Sequence, residues 1–227
     1  MSRGTELAVK RLIDVVVAAV AILLTAPVMA VAAAAVLVCM GRPVLFRQRR
    51  IGLDGREFAI LKLRSMRAGR VDDPRQDGQR LTPLGRWLRA SSIDELPSLF
   101  NVLRGEMSLV GPRPLPVSYR QRYTAEQFRR HLVRPGVTGL AQVNGRNALD
   151  WETRFAYDVW YVDNVSLLLD LRILARTVVS VVRRVGIAAP GAATAHEFTG
   201  EPALSTVGAA PAGPGSRSPL LTDRRSS

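Results

Sequence analysis

Two acidic residues stand side by side at Asp94 and Glu95 in "SSIDELPSLF" (91–100), in a chain where Lys and Arg outnumber Asp and Glu by 32 to 19. Neighbours on a helix point in different directions, so the two carboxylates would not act on one atom as a symmetric pair. They suit divided labour: one attacks an electrophilic phosphorus while the other holds a divalent cation that neutralises phosphate charge. A bland explanation competes with this. Ser91 or Ser92 would cap a helix running from Ile93, and both acids would fall in its first turn, where backbone N–H groups and the helix dipole favour negative charge. Spacing alone does not choose between them.

Other residue types narrow the chemistry. The only histidines are His131 and His196, and Cys39 is the single cysteine, so a His-rich metal cluster, a Ser-His-Asp triad and an internal disulfide are all unsupported. Cys39 lies in an apolar run and reads as a buried, inert thiol. Acid–base or covalent chemistry therefore rests on carboxylates. Arg89 lies five residues before Asp94, Arg113 sits between Pro112 and Pro114 in "GPRP", and Arg146 ends "QVNGR". Guanidinium groups suit bidentate phosphate contacts, and the flanking prolines stiffen the backbone around Arg113. Gly136, Gly139 and Gly145 match neither a P-loop nor a dinucleotide fingerprint; close approach to a ligand and ordinary turns both remain open for them.

These residues need elements to hold them. The net charge of +13 implies anionic partners: nucleic acid, lipid headgroups or phosphorylated substrates. Residues 15–40 carry no charge at all and read as membrane-embedded rather than as a cleaved leader, being longer than a usual signal core. As a straight helix they would measure roughly 39 Å at about 1.5 Å per residue, enough to cross. Pro27 near the middle predicts a kink, and basic residues flank both ends, which favours a re-entrant helix that enters and leaves by one face. Freed backbone at such a bend needs partners, and Thr25 offers a hydroxyl. Beyond it, Asp54-Gly55 between two strand-like runs predicts a β-hairpin, followed by a charged loop in 67–80. "PLGRWLRASS" predicts a short helix, and Thr124 with Gln127 forms a capping box for another. Residues 166–187 read as a helix packed on the domain or lying on a membrane surface. The Ala, Pro, Gly and Ser-rich 188–227 read as a disordered tail. The expected organisation is a membrane-embedded region (1–41), a compact catalytic domain (42–187) that is mainly α with a short β-hairpin (α+β), and the tail.

At "RWLRASSIDELPSLFNVLRGEMSLVGPRPLP" the chain resembles the bacterial sugar transferases of the monotopic phosphoglycosyl transferase family. Further blocks carry the likeness: "KRLID", "PVLFRQRRIG", "LKLRSM", "RPGVTGLAQVNGR" and "DVWYVDNVSLLLDLRIL". The resemblance implies transfer of a sugar-1-phosphate from a UDP-sugar to a polyprenyl (undecaprenyl) phosphate with release of UMP. It assigns the nucleophile, which forms a covalent phosphosugar intermediate, to Asp94, and Mg²⁺ to Glu95. Arg89, Arg113 and Arg146 are implied in substrate binding, with Lys62 and Arg64 as weaker phosphate-site candidates. It also implies a re-entrant membrane helix, interfacial amphipathic helices, contact with membrane lipids, and a catalytic domain on the cytoplasmic face of the bacterial inner membrane. The family breaks its helix at Ser-Pro, where this chain has Ala26-Pro27; Glu106 and Leu63 also depart from a common Asp and Phe. A rival of another class is an inactive membrane scaffold for glycan-assembly enzymes. No nucleic-acid reader motif is present, and the sugar, the glycan pathway and any homo-oligomer are not legible.

Overall fold

The computed structural model describes residues 3–67, 80–145, 149–182 and 197–200. These form a mostly helical protein with small two-stranded sheets and one long apolar N-terminal helix, α1 (Arg3–Met40). That helix is long and apolar enough to cross a membrane, and little of it is buried. It continues through Pro27 without the break expected at Ala26-Pro27. A proline in mid-helix removes one donor, here the partner of the Leu23 carbonyl, without obliging the helix to end. Thr25 Oγ1 donates to the Ala21 carbonyl at 2.6 Å, one turn back, rather than to Leu23. Leu23, Leu24 and Val31 beside the proline are well exposed, as is Cys39, which is not the buried thiol the apolar run suggested.

Both ends of α1 are fastened to the same body. Near its start, Lys10 Nζ donates to Asp170 Oδ2 at 2.5 Å and to the Val110 carbonyl at 3.1 Å. Arg11 donates to the carbonyls of Val102 (2.7 Å) and Leu103 (3.2 Å), while buried Asp14 accepts from Ser108 Oγ (2.7 Å) and Leu109 N (3.1 Å). Near its end, Ala32 and Val36 pack against Leu63 and Leu88. Arg64 donates to the carbonyls of Met40, Gly41 and Arg42, satisfying acceptors that a helix C-terminus leaves open.

The hairpin joins β1 (Leu45–Ile51) to β2 (Glu57–Leu63), antiparallel from Leu45↔Leu63 to Ile51↔Glu57. Asp54 (φ 53°) and Gly55 (φ 76°) supply the two consecutive left-handed residues of the turn, as their sequence predicts. Side chains alternate, so Arg50, Ile60 and Lys62 share one face of the hairpin. Next come α2 (Pro83–Ala90), capped by Thr82, a 3₁₀ turn (Ile93–Ser98) and α3 (Leu99–Leu103).

A second sheet adds to the expected hairpin: β3 (Ser108–Val110) pairs in parallel with β4 (Gly136–Thr138). Gly111 and Gly136 lie backbone against backbone, so a Cβ on Gly136 would collide with Gly111. Gly136 and Gly139 thus serve chain-to-chain packing rather than a ligand. The Thr124–Gln127 capping box forms as expected and starts α4 (Ala125–Phe128); α5 (Leu140–Val143) follows β4. Last come α6 (Trp151–Asp163) and α7 (Leu167–Val182), the latter burying Leu169 and Ile173 while Leu168, Leu171, Val178 and Val179 stay exposed. The main core joins Phe58 and Ile60 of the hairpin to Val102, Leu109, Leu140, Tyr161 and Ile173, with Ala18 of α1. Full burial of such aliphatic side chains contributes about 1.5–3 kcal/mol each. Four residues of the expected disordered tail, 197–200, are docked: Phe198 is buried among Tyr119, Tyr123, Trp151 and Phe155. The rest of the tail, the loop 68–79 and residues 146–148 lie outside the described residues.

Candidate active site

The acid pair sits on the 3₁₀ turn, and the capped α-helix start is not what forms. Ser92 is left-handed (φ 58°) and makes no side-chain cap bond, while the Ser91 hydroxyl donates backwards to Trp87 and Leu88 carbonyls at 2.9 and 3.1 Å. The chain turns so sharply out of α2 that neither hydroxyl meets the N–H groups ahead. The negative charge is balanced instead by cations delivered from other elements. Lys62 of β2 donates to Glu95 Oε1 at 2.6 Å, and Arg113, between β3 and α4, donates to the same oxygen at 2.8 Å.

Burial and these contacts shift the two acids in opposite directions. Asp94 is buried, 6% exposed, and burial together with the adjacent Glu95 charge pushes it up to about 6, against the pull of Lys62, Arg89 and Arg113. Burial would also raise Glu95, but Arg113 and Lys62 overcome it and hold this carboxyl well below the usual carboxylate range. Lys62 is itself lowered by burial, with Glu95 opposing the shift. Glu95 is therefore a fixed anion, and Asp94 is a carboxylate close to its titration point at neutral pH. Ser98 Oγ donates to the Glu95 carbonyl at 2.6 Å, and Pro97 stiffens the turn between them.

Arg113 is held from behind. The fully buried guanidinium of Arg130 donates to the Arg113 carbonyl at 2.7 Å and through the same nitrogen to Asp158 Oδ2 at 2.7 Å. Pro112 and Pro114 frame the loop with their carbonyls, which accept from Gly136 N (2.9 Å) and Arg50 Nη1 (3.3 Å). Arg89 reaches Ser65 Oγ at 2.9 Å and contributes a field at Asp94.

Of the residues the sequence singled out, the structure brings together Asp94, Glu95, Lys62, Arg89, Arg113, Pro112 and Pro114. Arg64 is turned to the end of α1, and Arg146 lies outside the described residues. Arg50, which nothing in its local sequence singles out, lines the same cleft as Lys62, Glu95, Ser98, Met107 and Arg113. Its parity with Lys62 across the hairpin is the signal that would have found it. The cleft encloses about 20 Å³, room for a water but not for a nucleotide. Among the described residues no group of three or more His, Cys, Asp and Glu gathers to cage a metal. Mg²⁺ is usually held through one or two carboxylates with substrate phosphates completing its shell, and Glu95, whose Oε1 is already engaged by Lys62 and Arg113, is the carboxylate that would hold it here.

Fold and site define a class: a small α+β domain built onto an apolar helix, with an acid pair set among arginine and lysine. The model of the bacterial sugar transferase family matches residues 5–184, and the chain belongs to that family. It is 47% identical over 199 residues to an uncharacterised sugar transferase, EpsL, of Bacillus subtilis, covering 87% of this chain and 98% of that one. It is 47% identical over 186 residues to the UDP-glucose:undecaprenyl-phosphate glucose-1-phosphate transferase of Caulobacter vibrioides, covering 76% of this chain and 69% of the relative. The Klebsiella pneumoniae protein of the same name is 42% identical over 187 residues, and the match spans only 40% of its length.

Proposed function

We propose that this protein transfers a sugar-1-phosphate from a UDP-sugar to undecaprenyl phosphate by way of a covalent aspartyl intermediate. The observation that carries the reading is the unequal pair: Glu95 fixed as an anion by Lys62 and Arg113, and Asp94 beside it, buried and poised. The UDP-sugar lies across the mouth of the cleft, its diphosphate against Lys62, Arg113 and Arg89. An Asp94 carboxylate oxygen attacks the sugar-bearing phosphorus, and the bond from that phosphorus to the bridging oxygen breaks. UMP leaves with that oxygen. A phosphate oxygen of the polyprenyl acceptor then attacks the same phosphorus, and the Asp94–phosphorus bond breaks, restoring the carboxylate and yielding a polyprenyl diphosphate sugar. Mg²⁺ bound beside Glu95 would supply charge neutralisation for the diphosphate.

The membrane placement is part of the proposal. Ala18 and Asp14 in the first half of the unbroken α1, and Ala32 and Val36 in the second, pack on one and the same domain, which supports a helix with both ends on one face of the bilayer, the cytoplasmic one. The exposed Leu168, Leu171, Val178 and Val179 of α7, next to Arg172, suit a helix lying at the lipid interface. Purified full-length protein in lipid nanodiscs, given Mg²⁺ and a panel of UDP-sugars, is expected to release UMP and to carry a phosphosugar mass on Asp94. An Asp94→Asn protein that still turned over and still carried the adduct would sink the mechanism.

A further inference from the structure

A cavity of about 570 Å³ opens between α1 and α2, away from the acid pair's own cleft. Pro27, Val31, Ala32 and Ala35 form its α1 wall, and Leu84 and Trp87 form the other. Every lining side chain is apolar, so a phosphate, sugar or nucleotide would find no partner there. Its volume is that of a ligand pocket rather than a packing defect. Small residues at positions 32 and 35 open the space, and the half-exposed Trp87 stands over it.

This cavity connects physically to the chemistry. Leu84 belongs to the cluster formed by Ala32, Val36, Leu63, Leu88 and Ile93. Ile93 immediately precedes Asp94, and Leu63 immediately follows Lys62. The same helix that supplies Leu84 and Trp87 also carries Arg89, whose charge acts on Asp94. At eight residues α2 is about 12 Å long, so the hydrocarbon wall and Arg89, on another face of the same helix, lie within the reach of one extended lipid chain. Cations beside the carboxylates and bare hydrocarbon one helix away are complementary to an anionic head carrying an apolar tail.

We propose that the groove between α1 and α2 seats the first isoprene units of the polyprenyl phosphate acceptor, with its phosphate directed past Arg89 to Asp94. This rests on the transferase reading above for the identity of the acceptor. The groove then selects acceptors by the shape of their hydrocarbon, and it fixes the depth at which the head meets the nucleophile.

The test uses full-length protein in phosphatidylethanolamine–phosphatidylglycerol nanodiscs and two photoreactive probes, a diazirine-bearing polyprenyl phosphate and a diazirine-bearing phosphatidylglycerol. The polyprenyl probe is expected to label peptides containing residues 27–35 and 84–87, and unlabelled polyprenyl phosphate should compete it away where excess phosphatidylglycerol does not. Filling the groove with Ala35→Trp should cut that labelling about tenfold, the scale of a misfit hydrocarbon in a pocket. Should that variant fail to fold, Trp87→Ala, which removes one wall, serves the same comparison. Equal labelling by both probes, or labelling that polyprenyl phosphate does not compete, overturns the proposal and leaves the groove as bulk-lipid space. Labelling needs no turnover, so absence of UMP release and of an Asp94 adduct would refute the transferase reading separately.

Discussion

Asp94 and Glu95 are chemically near-identical groups in contrasting surroundings, and their difference is testable through pH. With Asp94 pushed up to about 6, its carboxylate is protonated and non-nucleophilic at lower pH. UMP release should therefore fall about tenfold per pH unit below that value and level off above it, as read from initial rates across the range. Lys62 pulls Asp94 downward, so Lys62→Met should move this limb to higher pH; an unmoved limb would mean another group controls it. Glu95→Gln loosens both Lys62 and Arg113, and a loss of about 10²–10³ in kcat is expected, the size seen when a preorganised charge is removed. At this scale the sequence was informative where residues announce themselves by adjacency or by flanking prolines, as Asp94, Glu95 and Arg113 do. Arg50 does not, because its place beside Lys62 exists only once the hairpin register is set.

Elements deliver those residues. The hairpin brings Lys62, α2 brings Arg89, and the strand β3 leads into Arg113, whose backbone is held by Arg130 and Asp158. Asp158→Asn would leave the Arg130 guanidinium buried beside a neutral amide. A stability loss of about 3–5 kcal/mol is expected from breaking a buried pair of this kind, read by denaturant melts in detergent. Gly136→Ala should lower stability in the same assay, since the added methyl meets the Gly111 backbone, which has no side chain to swing aside. The hairpin was legible from Asp54-Gly55, and the helix in 166–187 from its Leu and Val pattern. The parallel β3–β4 pair was not, because its strands are three residues each and joined across a long intervening stretch, with no period for sequence to display. The 3₁₀ turn looks like an α-helix start in the sequence for a related reason: capping residues are present, but the left-handed Ser92 that disarms them depends on packing.

At the scale of the molecule, the apolar run was plain in the sequence, whereas its two fastenings were not, since they join residues up to 160 positions apart. If α1 re-enters, cysteines placed at Thr5 and at Arg47 in a Cys39→Ala background should both react with a thiol reagent applied from the cytoplasmic side. Labelling from opposite sides would establish a crossing helix. Lys10, Arg11 and Asp14 grip one end of α1 and Arg64 caps the other, and this double fastening reaches beyond anchorage. A helix held at one end adapts to a thicker or thinner bilayer by tilting. Clamped at both, α1 has lost that freedom, and mismatch must be taken up by the lipid or passed to the body that carries Asp94. Turnover in vesicles of graded acyl-chain length should then pass through an optimum, making this protein a gauge of the membrane thickness in which it works.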